Sequence, residues 1–389
     1  MASHLFRRKP KETEAPPLPP TIPNPQLQPR RTGIDAILAN PRELIWQGKS
    51  AEALTYLEPI AEKMPDDFQV WGLLGYAYKR TKQYDASKQA YEQVLALTQT
   101  ALTFFPSDGI ALFFRGDALF QLQRFDEAIQ CYDQILALDP QNVRAWSDKG
   151  MALSRLMRYE DALVCDEQAL ALAPKDASCW NNKGWALYHL NQLGEALQYF
   201  DQAIALDAKN FPAWTNKTRT LCDLQRYDEA LAAGEQALNI APRLPPAWVN
   251  KGWVLYELQR YDEALQCHEQ ALTLDPKFDR AWNGKAYTCL ALARYDEALT
   301  CIEQALAIAP EKAIFWHSQG EIYLAMQRYE EALTAFDHAL QLDDSQAFAW
   351  RHKAQALRAL GRFAEATETE EQAQALEAAG SRLPRQYED

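Results

Sequence analysis

The sequence predicts an all-α fold in which helical hairpins stack into a solenoid. Seven of its tryptophans follow one another at intervals of 34 residues, namely Trp146, Trp180, Trp214, Trp248, Trp282, Trp316 and Trp350. A period of this length is typical of a stacked repeat array. Within one period, such as residues 245–278, apolar residues recur at three- and four-residue spacing in two runs. This pattern indicates two amphipathic helices joined by a tight turn.

The period also sets the predicted domain organisation. When the recurrent Trp takes the fourth place, residues 34–380 hold ten repeats and an insertion at 102–108. The first repeat, 34–67, keeps only the second half of the pattern, so we interpret it as a degenerate N-terminal cap whose first helix is interrupted at Asn40-Pro41. The nine full repeats are 68–101, 109–142, 143–176, 177–210, 211–244, 245–278, 279–312, 313–346 and 347–380.

Small residues and prolines recur at fixed places of the repeat. Gly is common at the eighth place and Ala at the twentieth, where both allow close helix packing, and Pro ends most second helices. Ala208 and Asp344 replace this Pro, so two second helices are expected to run on. The twenty-fourth place usually holds a large residue, and looser packing is expected where it does not. The exceptions are Asp166, Gly234, His268 and Glu370.

These residues reproduce a known repeat pattern, W-x-x-L-G-x-x-Y followed by A-x-x-x-F and P. The chain resembles the tetratricopeptide repeat family over residues 34–380, and its W-x-N-K-G and R-Y-D-E-A-L wording resembles bacterial, especially cyanobacterial, arrays. The resemblance implies a right-handed superhelix whose first helices line a concave face. It also implies that the second, fifth, sixth, ninth, twelfth and thirteenth places of each repeat contact bound peptides.

Composition and charge limit the classes of partner. The net charge is −13, which disfavours a nucleic acid as the main partner. No stretch of eighteen apolar residues is present, so no transmembrane segment is predicted. The seven cysteines contain no C-x-x-C pair, which favours reduced, buried thiols and a cytoplasmic location.

The two ends differ from the array. Residues 1–33 contain eight of the 21 prolines and six basic residues against two acidic ones. We predict a disordered, basic, proline-rich tail there and a short C-terminal tail at 381–389. The N-terminal tail would suit an intramolecular contact with the acidic array, or a contact of residues 5–9 with an anionic membrane surface.

No motif for catalysis or for a cofactor is found. The chain lacks G-x-G-x-x-G, G-x-x-x-x-G-K, H-E-x-x-H and G-x-S-x-G, so it is predicted to be non-enzymatic, with no catalytic residues and no cofactor. His317 and His352 lie near one face in adjacent repeats, but two imidazoles without a third ligand do not predict a metal site.

The candidate binding residues lie on the first helices. Two i, i+3 aromatic pairs would form shelves for an extended peptide on either side of Arg219, although the same rings would also suit packing between repeats. Asparagines at the sixth place of three repeats would bond a peptide backbone, or would simply be solvated. The candidates are Asn182, Trp185, Tyr188, Asn216, Arg219, Asn250, Trp253, Tyr256 and Tyr287.

The predicted function is therefore a protein-interaction scaffold, acting as an adaptor or assembly factor. Its partner would be an extended protein segment, basic or of mixed charge, on the concave face. The alternative is a regulatory or substrate-targeting subunit of a separately encoded enzyme. The sequence leaves the partner and the oligomeric state open.

Overall fold

The computed structural model describes residues 34–378, and this part of the chain contains α-helices and no strand. The predicted all-α class is confirmed. The chain divides into two compact units, the first ending at Asn210 and the second beginning at Phe211. The predicted tails at 1–33 and 381–389 lie outside the described residues. Across 34–378, none of the helices is both long enough and apolar enough to cross a bilayer.

Each helix packs against the next one along the chain within its compact unit. The first unit contains α1 (Ile34–Trp46), α2 (Ser50–Lys63), α3 (Phe68–Arg80), α4 (Tyr84–Phe104), α5 (Gly109–Gln121), α6 (Phe125–Leu138), α7 (Val143–Arg155), α8 (Tyr159–Leu172), α9 (Ala177–His189) and α10 (Leu193–Leu206). The second unit contains α11 (Phe211–Asp223), α12 (Tyr227–Ile240), α13 (Pro245–Glu257), α14 (Tyr261–Leu274), α15 (Asp279–Ala291), α16 (Tyr295–Ile308), α17 (Ala313–Ala325), α18 (Tyr329–Leu342), α19 (Ala347–Ala359) and α20 (Phe363–Ala378).

The first helix of the cap is continuous. The expected interruption at Asn40-Pro41 was wrong, because α1 runs through Pro41 to Trp46. A proline inside a helix costs about 3 kcal/mol. Continuing the helix buries Leu44 and Ile45, and each buried aliphatic side chain contributes about 1.5–3 kcal/mol. The apolar contacts on the buried side of α1 therefore offset the missing backbone hydrogen bond.

Two second helices end where their neighbours do. The expected run-on of α10 and α18 was wrong, since both keep the 14-residue length found in repeats with a terminal Pro. An aspartate ends each helix instead. The carboxylate of Asp207 accepts a hydrogen bond from the Lys209 N–H at 3.0 Å, and Asp343 accepts one from the Ser345 N–H at 3.0 Å. Such side-chain bonds favour a turn over another helical residue.

Part of the predicted insertion at 102–108 is helical. Helix α4 has 21 residues and continues to Phe104 before the chain turns into α5. Asp108 then begins α5, because its carboxylate accepts hydrogen bonds from the Ile110 and Ala111 N–H groups at 3.0 and 3.1 Å. The extra residues thus lengthen one second helix and leave the following repeat intact.

In seven of the repeats, the recurrent Trp is hydrogen-bonded to the end of the repeat before it. The indole N–H of Trp248 donates to the Pro242 carbonyl at 2.9 Å, and Trp282 does the same to Pro276 at 3.0 Å. Equivalent bonds of 2.8–3.0 Å hold Trp71, Trp146, Trp180, Trp316 and Trp350 to the residue six positions earlier. The 34-residue spacing of the tryptophans therefore reflects a hydrogen bond that recurs at the junctions between repeats.

The eighth-place glycine packs against the residue at the twenty-fourth place of its own repeat. A Cβ added to Gly320 would lie 2.4 Å from the Phe336 ring, and one added to Gly184 would lie 2.7 Å from the Phe200 ring. Looser packing was expected where the twenty-fourth place lacks a large apolar residue, but this expectation was wrong at Asp166 and His268, which are both buried. The His268 ring is 0% exposed and touches both Gly252 and Gly284.

Gly320→Ala is expected to lower the free energy of unfolding by about 2 kcal/mol, since a new methyl group overpacks the fully buried Phe336 ring. The exposed Gly194 is the matched control, because a Cβ there meets nothing within 4 Å. Its change to Ala is expected to be stabilising by up to about 1 kcal/mol. Urea unfolding followed by circular dichroism measures both, and equal effects would contradict the packing argument.

Candidate ligand-binding surface

The first helices of the second compact unit form a continuous layer. α11, α13, α15, α17 and α19 each contact the next first helix. Residues at the same place of successive repeats therefore lie side by side in this layer. Two groups of side chains on it are relevant to ligand binding, an aromatic group on α13 and α15 and a histidine–glutamate group on α17 and α19.

The aromatic group is built around Trp253, which is 1% exposed. Its ring centroid lies 5.6 Å from those of Tyr256 and Tyr287 and 5.9 Å from that of His268, with the rings edge to face. Aromatic pairs in this geometry contribute about 0.5–1.5 kcal/mol beyond their burial. Trp253 and Tyr287 thus pack inside the layer, whereas Tyr256 is half-buried and reaches the surface.

The polar candidates in the second unit are also mostly enclosed. Arg219 and Asn250 are buried, and Asn216 is half-buried. The Oδ1 atom of Asn250 has no hydrogen-bond partner among the described residues. The sixth-place asparagines therefore differ in exposure, and the peptide-bonding role predicted for them stays a prediction.

In the first compact unit, the predicted pair Trp185 and Tyr188 stacks at 5.6 Å. Tyr188 is buried, Trp185 is half-buried, and the His189 ring lies edge-on to Trp185 at 4.3 Å. The Asn182 amide donates to the Ser147 hydroxyl at 2.9 Å. The two predicted aromatic shelves thus lie in different compact units, and their packing role is seen within each unit while their binding role stays a prediction.

Negative charge surrounds Tyr256 in the second unit. Burial, together with the smaller effects of the neighbouring Tyr261, Glu257 and Glu321, raises the pKa of Tyr256 to about 12. Burial also raises the pKa of Glu257, and the charge of Asp223 on α11 adds to this effect. Like charges raise a carboxyl pKa because ionisation then brings two negative groups together. This part of the layer therefore favours a cationic ligand.

A second acidic group lies in the first unit. The guanidinium of Arg144 donates to Asp117 at 2.9 Å and to Asp148 at 3.3 Å, and it lies 3.6 Å above the Phe113 ring. Burial raises the pKa of both carboxyl groups, and the charge of Asp117 helps to raise that of Asp148 to about 7. The Arg144 guanidinium thus bridges the two carboxylates, which lie on neighbouring first helices of this unit.

The histidine–glutamate group joins two repeats of the second unit. His317 Nε2 and His352 Nδ1 are 2.8 Å apart. Glu321 lies one turn after His317, with its oxygens 3.4 Å from His317 Nδ1 and 3.6 Å from His352 Nδ1. The Tyr287 hydroxyl donates to Glu321 at 2.5 Å. Three groups that bind metals therefore meet where the sequence predicted only two.

The comparisons with known proteins decide the family. Tetratricopeptide repeat models match residues 42–101, 74–143, 142–209, 245–278, 279–312 and 313–345, which together cover more than half of the chain. The chain belongs to the tetratricopeptide repeat family. Tetratricopeptide repeats generally form scaffolds for protein interaction. No curated protein sequence matches this chain.

Solved structures agree on the tetratricopeptide fold. The human IFIT1 dimer with m7Gppp-AAAA aligns over 90% of this chain and 91% of its own, at 16% identity and a TM-score of 0.55. A tetratricopeptide repeat protein from Parabacteroides merdae ATCC 43184 aligns over 69% of this chain and 99% of its own, at 16% identity and a TM-score of 0.53. Likeness at this level of identity establishes the fold alone.

The tetratricopeptide pattern contained a signal for the groups that sequence reasoning missed. Asp117 and Glu321 both stand at the ninth place of their repeats, one of the places expected to contact ligands. The predicted site used this place for Trp185, Trp253 and other residues and did not extend it to the acidic ones. The ninth place thus contributes one carboxylate to the acidic group of the first unit and one to the histidine–glutamate group of the second.

Proposed function

We propose that this tetratricopeptide repeat protein is a non-enzymatic adaptor or assembly factor that binds a basic, extended segment of a partner protein. The observation that carries the proposal is the negative charge around the half-buried Tyr256, where Asp223 acts on Glu257 from the neighbouring first helix. A Lys or Arg side chain would find charge and an aromatic surface together there. The proposal includes a cytoplasmic location.

The polar residues of the predicted site belong to the proposed interface in different ways. Asn216 and Tyr256 are accessible enough to contact a segment directly. Trp253 and Tyr287 support Tyr256 from behind, so they set its position. In the first unit, Trp185 is half-buried, while the Asp117 and Asp148 carboxylates are already bonded by Arg144.

A binding measurement with three labelled peptides tests the proposal. Extended peptides of equal length, one basic, one neutral and one acidic, are titrated with the full chain and followed by fluorescence anisotropy. We expect the basic peptide to bind at least about tenfold more tightly than the acidic one at low salt and to weaken as salt rises.

Matched variants locate the binding. Glu257→Gln and Asp223→Asn remove charge from the first helices, whereas Asp262→Asn removes one from the exposed first turn of α14. The first two are expected to weaken basic-peptide binding and the third to leave it unchanged. Equal binding of all three peptides, or equal effects of all three variants, would contradict the proposal.

The alternative, a regulatory or targeting subunit, is distinguished by its partner. A catalytic chain that copurifies with the protein and loses activity or substrate choice without it would favour that reading. The m7Gppp-AAAA of the IFIT1 structure adds a further comparison, and the net charge of −13 here opposes such a polyphosphate ligand. Contacts of residues 1–33 with the array or with a membrane remain predictions.

A further inference from the structure

We propose that His317, Glu321 and His352 bind a zinc ion between two consecutive repeats. The three residues each offer one ligand atom, and these atoms lie within 4.8 Å of one another. Two imidazole nitrogens and one carboxylate oxygen form a donor set that zinc accepts with its fourth position open. This site adjoins the Tyr256–Glu257 region through Glu321 and Tyr287, but the binding of an ion there does not depend on the proposed peptide binding.

The distances are close to those that a bound ion needs. With zinc–ligand bonds of about 2.0–2.2 Å, the ligand atoms of a tetrahedral site lie roughly 3.3 Å apart. His317 Nε2 lies 2.8 Å from His352 Nδ1, whereas it is His317 Nδ1 that lies 3.4 Å from one Glu321 oxygen. The other Glu321 oxygen lies 3.6 Å from His352 Nδ1, and only one of the two His317 nitrogens would bind the ion. Because one ligand atom from each residue already lies within 4.8 Å of the others, side-chain rotations would bring them to the distances that zinc needs.

The surroundings hold the first histidine in place. His317 is 3% exposed, and its ring packs edge-on against Phe348 at 4.5 Å and beside Phe336 at 5.6 Å. Its Nδ1 atom is buried and has no hydrogen-bond partner among the described residues. A buried polar atom without a partner is costly, and a site that uses this ring as a ligand would orient it.

Glu321 is held from a third helix. The Tyr287 hydroxyl on α15 donates to one carboxylate oxygen, and the other oxygen is the one nearer His352. Second-layer hydrogen bonds of this kind fix the orientation of metal ligands.

The site is also open on one side. The side chains of His352 and Glu321 are 31% and 23% exposed, which leaves a path for the ion and space for a fourth ligand. A water molecule or a side chain of a bound partner would fill this position. The ion would link α17 to α19, in addition to the hydrogen bonds that already join these two repeats.

Isothermal titration with zinc chloride tests the site directly. The full chain, first treated with a chelator, is expected to bind one zinc ion per molecule and to melt at a higher temperature when loaded. Magnesium is expected not to bind, because it prefers oxygen ligands. Cobalt(II) used as a substitute probe should give the intense visible absorption of a four-coordinate site.

The variants Glu321→Gln and His352→Gln are each expected to weaken zinc binding at least about 100-fold and to abolish the rise in melting temperature. His338→Gln is the matched control, since His338 is an exposed histidine on α18 away from the group. Circular dichroism confirms folding of each variant, and if one fails to fold the other carries the comparison. Absence of zinc binding by the unaltered chain, or unchanged affinity in a folded ligand variant, would overturn the site.

Discussion

Asp166→Asn is expected to raise the free energy of unfolding at pH 7 by about 4 kcal/mol. Asp166 occupies the twenty-fourth place of its repeat, where other repeats hold a large aromatic ring. It is 2% exposed, and its Oδ1 atom has no hydrogen-bond partner among the described residues. A Cβ added to Gly150 would lie 2.6 Å from this oxygen, so the carboxyl group is tightly enclosed between α7 and α8.

The cause is the cost of ionising a buried acid. Burial raises the pKa of Asp166 from 3.8 to about 8, although the charge of Lys183 opposes the rise. The unfolded chain therefore loses this proton near pH 4 and the folded chain only near pH 8. Stability from this group is fully present below pH 4 and is lost as the pH rises to about 8, at about 1.4 kcal/mol per pH unit.

Urea unfolding at pH 4, 5.5 and 7 measures the effect. The asparagine variant keeps the size of the protonated acid and cannot ionise, so the difference from the unaltered chain should vanish near pH 4 and grow toward pH 7. Asp126→Asn in the exposed first turn of α6 serves as the control, with an expected change below about 1 kcal/mol. A difference independent of pH would count against a buried, ionising Asp166.

At pH 4, His268 is expected to lower the free energy of unfolding by about 3 kcal/mol relative to neutral pH, and His268→Phe is expected to abolish this acid-induced decrease. His268 is fully buried, and neither ring nitrogen has a hydrogen-bond partner among the described residues. Burial lowers its pKa from 6.5 to about 3, and the charge of Lys285 adds to the effect. Phe200 and Phe336 fill the same place in other repeats, so a phenyl ring suits this position.

The direction of the pH dependence is opposite to that at Asp166. The unfolded chain takes up a proton at His268 below pH 6.5, while the folded chain resists it down to about pH 3. Stability from the neutral ring is present above pH 6.5 and is lost as the pH falls, by about 5 kcal/mol in total.

Unfolding of the second compact unit between pH 7 and pH 4 distinguishes this effect from a packing effect. A phenyl ring that fits Gly252 and Gly284 less well would shift the stability by the same amount at every pH. Loss of the proton-linked slope is specific to His268, and the exposed His338→Gln control should keep it. A variant with the slope of the unaltered chain would contradict the assignment.

Hydrogen exchange locates both effects. In a repeat array, stability is a sum of terms from each repeat and its neighbours, so local opening should precede global unfolding. We expect α7 and α8 to lose protection first in mild alkali, and α13 to α15 to lose it first in mild acid. The twenty-fourth place would thus limit the stability of the protein at high pH through Asp166 and at low pH through His268.

The sequence was sufficient to predict the repeat because its signals are local. The spacing of Trp146 and its equivalents indicates the hydrogen bonds between repeats, and the alternation of two apolar runs indicates two helices. Proline rules failed at Pro41 because burial of Leu44 and Ile45 outweighs one lost backbone bond. The lengths of α10 and α18 required recognising that an aspartate also ends a helix.

The candidate site was harder to predict because it depends on three helices at once. Trp253 and Tyr256 share one helix face in the sequence, but only packing against Tyr287 and His268 determines which ring is enclosed. Glu321 meets His352 across a repeat boundary, at a separation that the pattern on one helix does not encode. The position of a residue within its repeat predicts which residues are its neighbours. Whether its side chain is exposed depends on the size of those neighbouring side chains.

The hydrogen-bonded tryptophans at the junctions can also serve as intrinsic fluorescent probes. Each indole lies at one junction and is sensitive to the opening of that junction alone, since its N–H is bonded to the preceding repeat. In a variant that retains only one of these tryptophans, for example Trp248 or Trp316, the fluorescence would come from one known junction between repeats. Fluorescence would then resolve the order in which the repeats separate under heat, acid or force.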